Sequence, residues 1–411
     1  MYDSAITQRT LGAVLRRSDF VRYPPLRNER TRMAILRLAC RLARRRPTTL
    51  DGAIKSAVVR GKRVNFVANI PLELTVRKLN ANLRYATMVR GGNRTELVRA
   101  ICEAARDSNA YTLLRLDIKS FYESVISEQI FTGLESNLKV GAATLRFLRS
   151  INNWHVLQGG EGLPRGLATS ATLSELCLAD FDRTMRSNKR FFYYGRYADD
   201  MLFIGTHELQ EKQTYRFVRS QLPSGLKLNP SKSKFSSVAK AGSNTNQVLS
   251  FEYLGYHVKV FNQPGKNMRR RTEVDIAESK CRKMKTRIVK AFEDFVSNSD
   301  YGLLTSRIRF LTSNYRVVDK NGKFSRLAGI HFNYPLVNHE SSAALRDLDA
   351  FLRKAVLSGK GKIFAPAAAK LSKAKKRELL KNSFLKGFTT RALRHFSPKA
   401  ISTIQSCWKY V

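Results

Sequence analysis

Apolar and polar residues follow different spacings along the chain, and the change between them predicts its organisation. Through residue 60, apolar positions such as Ile35 and Leu42 recur at helical intervals among arginines, which predicts basic helices. Residues 61–70 predict a short strand. Asn93, followed by Glu96 at the third helical position, predicts the capped start of a further helix.

From residue 111 onward the pattern favours strands interleaved with helices. Residues 111–118 and 249–261 have the apolar runs of strands, and in 191–205 two such runs flank an acidic turn. Between them, residues 172–185 carry apolar side chains at helical spacing. Strands interleaved with helices predict an α+β fold.

The last third of the chain is predicted to be helical. Thr272 and Asp275 have the spacing of a capping box, and apolar residues follow at helical intervals. Residues 358–411 contain 13 Lys and Arg and a single acid, Glu378, together with aromatic residues that include Phe384, Phe388, Phe396, Trp408 and Tyr410. This mixture predicts a folded basic surface and not a disordered tail.

Net charge changes this picture most. The 411 residues include 74 Lys and Arg against 32 Asp and Glu, a formal charge of +42. A chain of this charge repels itself, so the excess favours a polyanionic partner such as nucleic acid. The five cysteines lack CxxC spacing, and no apolar run reaches membrane-spanning length or forms a signal-peptide core. These features predict a soluble, cytoplasmic protein without a membrane partner.

Candidate chemistry begins with two adjacent carboxylates, Asp199 and Asp200, in the turn between two apolar runs. They repel each other unless a cation binds, and Mg²⁺ prefers such oxygen ligands, although Asp is also a common turn residue. Asp117 ends the strand 111–118, where alone it would more often cap the following helix. Together, the three carboxylates predict two divalent ions about 4 Å apart at neighbouring strand ends.

Five segments in order resemble the palm motifs of reverse transcriptases: LLRLDIKSFYESV (113–125), GLPRGLATS (162–170), YADD (197–200), LKLNPSKSK (226–234) and EYLGY (252–256). The resemblance implies a right-hand polymerase of the α+β class, with fingers, an RRM-like antiparallel palm sheet and a helical thumb. The domains expected from it are a basic N-terminal region and fingers (1–110), a palm (111–262, with fingers elements around 130–165), a helical thumb (263–357) and a basic C-terminal extension (358–411).

The resemblance also implies a role for each matching residue. Asp117, Asp199 and Asp200 match the catalytic carboxylates that bind the metals, and the carbonyl of Ile118 would complete a metal shell. The implied cofactors are two Mg²⁺ ions, with Mn²⁺ able to substitute. Tyr122 matches the aromatic steric gate that would collide with a ribose 2′-hydroxyl; plain packing of the ring is the alternative.

Three further motif positions concern substrate and primer. Lys232 matches the lysine near the triphosphate, with a solvated charge as the alternative, and Gly255 matches the glycine of the primer-gripping hairpin, where close backbone approach would need Gly. Arg165 stands where the family usually carries Gln, and its positive fork could hold template or incoming phosphate. Four basic residues upstream are candidates for gripping the incoming triphosphate: Lys78, Arg84, Arg90 and Arg94.

The fingers segment 77–98 and the thumb segment around 310–337 resemble bacterial defence-associated reverse transcriptases, most closely the stand-alone type 2 group. This implies an RNA-directed DNA polymerase that copies a structured non-coding RNA into cDNA in antiphage defence. The implied partners are that RNA as template, a primer and nascent DNA, and dNTPs. Retron and group II intron enzymes are the alternatives within the family.

Two alternatives change the chemistry. An RNA-directed RNA polymerase would keep the palm, but Tyr122 as a gate argues against it. A catalytically silent RNA-binding scaffold is the other; three clustered carboxylates without metals would weaken its binding of polyanions. The hydroxyl that primes synthesis stays open, and a protein Ser, Thr or Tyr is one candidate.

Overall fold

Contacts along the chain divide the protein into two compact units, each combining helices with antiparallel strands, which confirms the α+β class. The first contains residues up to 97 and 109–240, and the second contains 98–108 and the described residues from 241 onward. Within the described part of the chain, no helix is long and apolar enough to cross a membrane. The computed structural model describes residues 2–44, 50–59, 61–136, 140–242, 245–263, 270–318 and 325–408.

The helices that begin in the first unit are α1 (Gln8–Gly12), α2 (Arg17–Arg22), α3 (Glu29–Arg44), α4 (Ile70–Thr87), α5 (Arg94–Ala104), α6 (Phe121–Ser124), α7 (Ser127–Glu135), α8 (Ala142–Leu157), α9 (Ala168–Cys177), α10 (Ala179–Ser187) and α11 (Glu211–Gln221). Its strands are β1 (Ile54–Val59), β2 (Lys62–Val67), β3 (Tyr111–Asp117), β4 (Phe191–Tyr197), β5 (Asp200–Thr206) and β6 (Lys234–Val238). Short 3₁₀ turns lie at Pro24–Arg27 and Pro230–Lys232.

A four-stranded antiparallel sheet in the order β4-β5-β3-β6 forms the centre of the first unit. Strand β3 is buried at six of its seven positions because helices cover the sheet and its side chains join a large apolar cluster. Its register pairs Leu116 with Met201 and Asp117 with Asp200. The strands expected at 111–118 and 191–205 are therefore confirmed.

Of two local predictions in the first unit, one is confirmed and one is wrong in part. The stretch 172–185 is helical, as expected, but it forms two helices: α9 ends before Leu178, and α10 starts where the amide of Asp182 donates to the Leu178 carbonyl at 2.8 Å. Part of the basic N-terminal region is not helical, because β1 pairs in register with β2 as a hairpin. The cap predicted at Asn93 is confirmed, since its side chain accepts from the amide of Thr95 at 3.0 Å.

The second unit adds the strands β7 (Gln247–Tyr253), β8 (Tyr256–Asn262), β9 (Arg270–Ile276), β10 (Asn314–Val318), β11 (Ser325–Gly329) and β12 (Leu393–Arg394). Its helices are α12 (Glu278–Asn298), α13 (Tyr301–Thr312), α14 (Ala343–Leu357), α15 (Phe364–Lys370), α16 (Lys373–Leu380), α17 (Phe384–Thr390) and α18 (Pro398–Gln405), with a 3₁₀ turn at Ser406–Trp408. Strands β7, β8 and β9 form one antiparallel sheet.

The capping box predicted at Thr272 and Asp275 is wrong, because both residues lie in β9, paired with β8. The Asp275 carboxylate caps a different helix: it accepts from the hydroxyl of Ser342 at 2.6 Å and from the amide of Ala344 at 3.0 Å, at the start of α14. The helical part of this unit therefore begins at Glu278 and not at residue 272.

The basic C-terminal stretch is folded, as expected, through residue 408. Its aromatic residues pack against α13 and β10: the ring of Phe310 lies 5.4 Å from that of Phe396 and 6.0 Å from that of Trp408. Arg307, whose side chain is 1% exposed, donates to the carbonyl of Ile404 at 3.2 Å. Tyr410, another of the aromatic residues, lies outside the described residues.

Candidate active site

The central sheet brings the three predicted carboxylates together. Asp117 is the last residue of β3, Asp200 is the first residue of β5, and the two are direct partners across the sheet. Asp199 lies in the turn between β4 and β5, and its carbonyl accepts from the amide of Ile118 at 3.1 Å. Adjacent strand ends thus place all three residues and Ile118 at one edge of the sheet.

A buried arginine fixes the turn that carries Asp199. Ala198 has a left-handed backbone (φ 54°), which is strained for a residue with a Cβ. Its carbonyl accepts from Nη1 of Arg196 at 2.9 Å. The Arg196 guanidinium also binds Asp182 through Nε at 2.8 Å and Glu175 through Nη2 at 2.7 Å. Burial alone would lower the pKa of Arg196, but these carboxylates raise it, so the residue stays charged beneath the turn.

The two outer carboxylates each have a cationic partner, whereas the middle one sits between negative charges. Arg115 binds Asp200 with Nε at 2.9 Å and Nη2 at 2.8 Å. The ammonium of Lys232 lies 3.1 Å from both oxygens of Asp117. Burial raises the pKa of Asp199, and the charges of Asp117 and Asp200 raise it further against the opposing charge of Lys232. The turn therefore concentrates negative charge that a cation would stabilise.

A pocket of about 570 Å³ opens beside this turn within the first unit. Gly92 allows its wall to form, because a Cβ there would meet the carbonyl oxygen of Arg196 at 2.8 Å. Asn80 is fixed in the lining by the hydroxyl of Thr172, which donates to its Oδ1 at 2.7 Å. The lining consists of Asn80, Arg84, Val89, Gly91, Gly92, Tyr122, Ala168, Ala171, Thr172, Glu175, Tyr197 and Ala198.

Tyr122 lies in α6 and lines this pocket, half-buried against the main apolar cluster. The guanidinium carbon of Arg165 lies 4.8 Å from the centre of its ring. Arg165 also binds Glu123, with Nη2 3.1 Å from each carboxylate oxygen. Arg165, which the sequence suggested as a phosphate ligand, is thus engaged by an acid and an aromatic ring.

The other predicted site residues lie at different places. Arg90 is exposed and Arg94 begins α5, and neither lines the pocket, which has Arg84 as its basic residue. Lys78 is 3% exposed and donates to the hydroxyl of Tyr2 at 3.2 Å, so it does not face the pocket. Gly255 belongs to the second unit.

Gly255 occupies the two-residue turn between β7 and β8. Tyr253 pairs with Tyr256, and the two turn residues, Leu254 (φ 48°) and Gly255 (φ 82°), are both left-handed. This is the geometry of a type I′ hairpin turn, which favours Gly because it has no Cβ to strain. The turn conformation by itself accounts for glycine here.

Three residues that support the carboxylates were missed by the sequence interpretation. Arg115 precedes Asp117 by two positions, so strand alternation places both on one face, which is a usable signal. Asn229, whose Nδ2 donates to Asp117 at 3.2 Å, precedes Lys232 by three positions but has no distinguishing pattern. Arg196 sits two residues before the carbonyl it holds, and only its burial separates it from many other arginines.

The donor set fits a hard divalent cation. Within the described ranges, no group of three or more His, Cys, Asp or Glu side chains is arranged to hold a metal ion by itself. Mg²⁺ in nucleotide-dependent enzymes usually takes one or two carboxylates and completes its shell with water and substrate phosphates. Asp117 and Asp199 can supply those two carboxylates, and the pKa of Asp199 is raised by burial first and by the neighbouring acids second.

Residues 72–258 match the family model described as reverse transcriptase (RNA-dependent DNA polymerase). This range contains the carboxylate turn and the whole lining of the pocket. Residues 72–258 are therefore similar to a reverse transcriptase domain.

One solved structure similar to the chain is telomerase from Candida albicans in complex with a TWJ fragment of telomeric RNA, at 11% identity and a TM-score of 0.33. The alignment covers 86% of this chain, which spans 61% of the length of that one. No curated protein matches the chain.

Proposed function

We propose that the protein is an RNA-directed DNA polymerase whose active centre is formed by Asp117 at the end of β3 and by Asp199 and Asp200 at the β4–β5 turn. The observation that carries this proposal is the register of β3 and β5, which puts Asp117 opposite Asp200 and ties Ile118 to Asp199 inside the range similar to a reverse transcriptase domain. The pocket next to this turn is large enough for a nucleotide.

Two divalent metal ions, Mg²⁺ with Mn²⁺ able to substitute, would be held by Asp117, Asp199 and the carbonyl of Ile118. When bound, they would lower the pKa of the primer 3′-hydroxyl and stabilise the charge on the leaving pyrophosphate. Arg115 binds both carboxylate oxygens of Asp200. The proposed role of Asp200 is therefore to contribute negative charge to the surroundings of the metal site. Lys232 partly neutralises Asp117, and its exposed side chain is free to turn toward a triphosphate.

The lining of the pocket supports the roles proposed for residues around an incoming nucleotide. Tyr122 lies in its wall as the gate against a ribose 2′-hydroxyl, and Arg84 supplies positive charge there. Arg90 and Arg94 follow Arg84 in the chain. Because neither residue lines the pocket, each would contact a triphosphate from outside it. Gly255 would present its hairpin backbone to the primer.

The template we propose is a structured non-coding RNA, copied into cDNA in antiphage defence in the cytoplasm. The formal charge of +42 supports a polyanion larger than a template strand alone, and basic residues are abundant on both sides of the palm motifs. The specific resemblance of the fingers and thumb segments supports the defence lineage over retron or group II intron enzymes.

A catalytically silent RNA-binding scaffold is the competing proposal. The surroundings of Asp199 argue against the scaffold. Burial and the neighbouring acids raise the pKa of this carboxylate, and a domain that only binds RNA has no use for such a cluster of acids. An RNA-directed RNA polymerase is disfavoured by the Tyr122 ring in the pocket wall.

The test uses purified full-length protein with a DNA primer annealed to an RNA template and either dNTPs or NTPs. Extension with dNTPs in Mg²⁺ or Mn²⁺, lost in Asp199→Asn, is the expected result. Preferential use of NTPs would make the protein an RNA polymerase. Protection of cells from phage that survives Asp199→Asn would establish the scaffold in place of the enzyme.

Template and product are identified in the same cells. RNA that co-purifies with the protein is sequenced, together with DNA that is present with the wild type and absent with Asp199→Asn. One structured RNA and its complementary DNA are expected, and a random sample of cellular RNA without matching DNA would contradict a dedicated template. Deproteinised cDNA is then tested for a covalently attached peptide, which would reveal protein priming.

A further inference from the structure

Arg165 is held against the proposed gate residue from two sides. Its guanidinium carbon lies 4.8 Å from the centre of the Tyr122 ring, and its Nε and Nη2 donate to Glu123 at 3.1–3.2 Å. About a third of the Arg165 side chain is exposed, so the contact with the ring is partly shielded from water. A guanidinium can stack on a ring while it binds a carboxylate in a bidentate manner, whereas Lys lacks the planar group and Gln lacks the charge.

The β1–β2 hairpin fixes the backbone of the same residue. The Arg165 carbonyl accepts from the amide of Asn65 at 2.7 Å, and Gly166 (φ 99°) allows this approach, because a Cβ there would meet the Asn65 carbonyl at 2.4 Å. Lys62 adds a second link to the hairpin through Glu123, at 3.4 Å. The arginine is therefore anchored at its backbone as well as at its side chain.

The tyrosine is anchored in turn by the loop before Arg165. The carbonyl of Tyr122 accepts from the amide of Leu163 at 2.9 Å, and Gly162 leaves room for this contact. The ring of Tyr122 is thus left to be oriented by its packing and by the guanidinium. An unanchored ring could rotate or withdraw from the pocket wall.

We infer that Arg165 is a positioning residue that orients the Tyr122 ring and thereby sets the discrimination between deoxyribonucleotides and ribonucleotides. The inference rests on the proposed role of Tyr122 as the gate. The proposed role of Arg165 is therefore in discriminating between nucleotides and not in binding a phosphate.

The test compares kcat/KM for a dNTP with that for the matching NTP on an RNA template with an annealed DNA primer. Arg165→Gln is expected to lower this discrimination by about twofold to thirtyfold, the range that a cation–π contact gives. Arg165→Lys is expected to fall between Arg165→Gln and the wild type. In a Tyr122→Ala background, Arg165→Gln should change the ratio no further, because the residue acts through the ring.

Arg149 provides a matched control. It is 34% exposed, pairs with Glu128 and Glu135, and lies 5.4 Å over the ring of Phe131 in the same unit, but outside the pocket. Arg149→Gln should leave the discrimination unchanged. Equal losses with dNTPs and NTPs in Arg165→Gln, with the ratio preserved, would show a merely structural role and overturn the inference.

The inference and the proposed function fail in different ways. Discrimination that Tyr122→Ala lowers but Arg165→Gln does not would remove the inference alone, and a wild type without DNA synthesis would remove the proposed function. If the wild type does not synthesise DNA, the position of the ring is tested by NMR of protein labelled at tyrosine. The signal of the Tyr122 ring is assigned as the one that disappears in Tyr122→Phe. Arg165→Gln should shift that signal and Arg149→Gln should not; an unmoved signal would disprove the positioning.

An independent observation concerns four arginines at the start of the first unit. Arg9 of α1 and Arg37, Arg41 and Arg44 of α3 line a concave surface of about 750 Å³, here named the arginine cleft. The three residues on α3 recur every three or four positions and form one stripe about 10 Å long. The other lining residues are Thr7, Gln8 and Cys40.

The charge of this cleft is poorly compensated. Arg9 pairs with Asp3 at 2.7 Å, but no carboxylate in the described residues forms a salt bridge with the three arginines of α3, all of which are exposed. Like charges at these spacings destabilise a helix. Because the three arginines of α3 are exposed, packing in the protein interior does not explain them. A bound polyanion would offset their mutual repulsion.

We infer that the arginine cleft binds the phosphate backbone of RNA, outside the polymerase pocket. A sugar–phosphate chain fits because it presents several negative charges along one line, and guanidinium groups bind phosphate oxygens in pairs. The inference rests on the proposed function only in taking RNA as the polyanion.

The test measures the affinity of the full-length protein for single-stranded RNA as a function of salt. Arg37→Gln with Arg41→Gln should reduce the slope of log K against log salt by about 1.4, because each phosphate contact on a single strand contributes about 0.7. The control is Arg216→Gln with Arg219→Gln, an equal charge change at two exposed positions of α11. Equal reductions in both double variants would mean a general charge effect and would overturn the site.

Two further arms complete the test. Poly-glutamate that competes as well as RNA would assign the cleft to an acidic protein and also overturn the inference. Binding is repeated with Asp199→Ala and Asp200→Ala present, which should abolish DNA synthesis and leave the slope difference intact. A protein that shows the slope difference but never synthesises DNA would keep the cleft and lose the proposed function.

Discussion

Arg115 binds both carboxylate oxygens of Asp200, with Nε at 2.9 Å and Nη2 at 2.8 Å, across two neighbouring strands. Bidentate pairs of this kind have a fixed geometry, so the Asp200 carboxylate is held in one orientation. The carboxylate of Asp199, beside the strained Ala198, instead has a pKa raised by burial and by the neighbouring acids. Two adjacent aspartates therefore differ in their electrostatic surroundings.

This difference predicts unequal effects of substitution. Asp117→Asn and Asp199→Asn should each lower kcat for DNA synthesis by about a thousandfold or more, because each removes a carboxylate of the proposed metal site. Asp200→Asn should cost only about tenfold to a hundredfold, since its charge is already offset by Arg115. Single-turnover primer extension measures the three rates. Equal losses for the two adjacent aspartates would contradict the division of roles.

Replacing Arg115 should destabilise the carboxylate turn. Arg115→Gln leaves Asp200 half-buried beside Asp117 and Asp199, and the free energy of unfolding should fall by about 1–3 kcal/mol. Millimolar Mg²⁺ should recover part of this loss by binding the exposed negative charge. Thermal unfolding with and without Mg²⁺ measures both effects. Arg149→Gln is the control, and a loss of the same size there would remove the link to the turn.

The buried Arg196 should be the most sensitive residue beneath the site. Arg196→Met leaves the buried Asp182 and the partly buried Glu175 without their cation and the Ala198 carbonyl without its donor, so the free energy of unfolding should fall by about 3–5 kcal/mol. Adding Asp182→Asn and Glu175→Gln should restore part of it, because the unpaired charges disappear. Urea unfolding midpoints test this; a triple variant no better than the single one would place the cost elsewhere.

Substitutions at Gly159 and Gly162 compare the cost of a strained backbone with the added cost of a steric clash. Gly159 (φ 71°) has open space where a side chain would lie, so Gly159→Ala should cost only the left-handed backbone, about 1–2 kcal/mol. Gly162 (φ 64°) would place a Cβ 2.1 Å from the carbonyl of Tyr122, so Gly162→Ala should cost at least about 2 kcal/mol more and weaken dNTP use. Unfolding and primer extension of both variants provide the comparison; similar values would mean that the loop simply moves aside.

His155 should make the protein less stable in mild acid. Burial lowers the pKa of His155, against the hydrogen bond to the Glu161 carbonyl, so the unfolded chain binds a proton more readily than the folded one. Its contribution is therefore fully present above the unfolded pKa of about 6.5 and is lost as pH falls through the folded value. His155→Gln should flatten the rise in unfolding free energy that the wild type shows as the pH increases toward about 6.5. The exposed His207→Gln is the control and should retain the rise.

Where the structure differs from the sequence prediction, the difference has a local cause. Asp275 follows the rule for a helix cap, yet it caps α14 from β9, because a strand partner at His257 competes with the local helix. Leu178 interrupts a stretch of helical periodicity, since periodicity reports which face is buried and not whether the backbone continues in one direction. Neither outcome is encoded within a few neighbouring residues.

The sequence by itself determined which residues could form the carboxylate turn, because apolar runs define the strands and the acids stand at their ends. Strand alternation also places Arg115 on the face of Asp117. Only the tertiary structure decided that Arg115 binds Asp200, that Arg165 stacks on Tyr122 and that Arg196 holds the turn. In a chain with 74 Lys and Arg, sequence cannot select a partner for each cation, since that choice depends on strand register and on contacts between residues far apart in the chain.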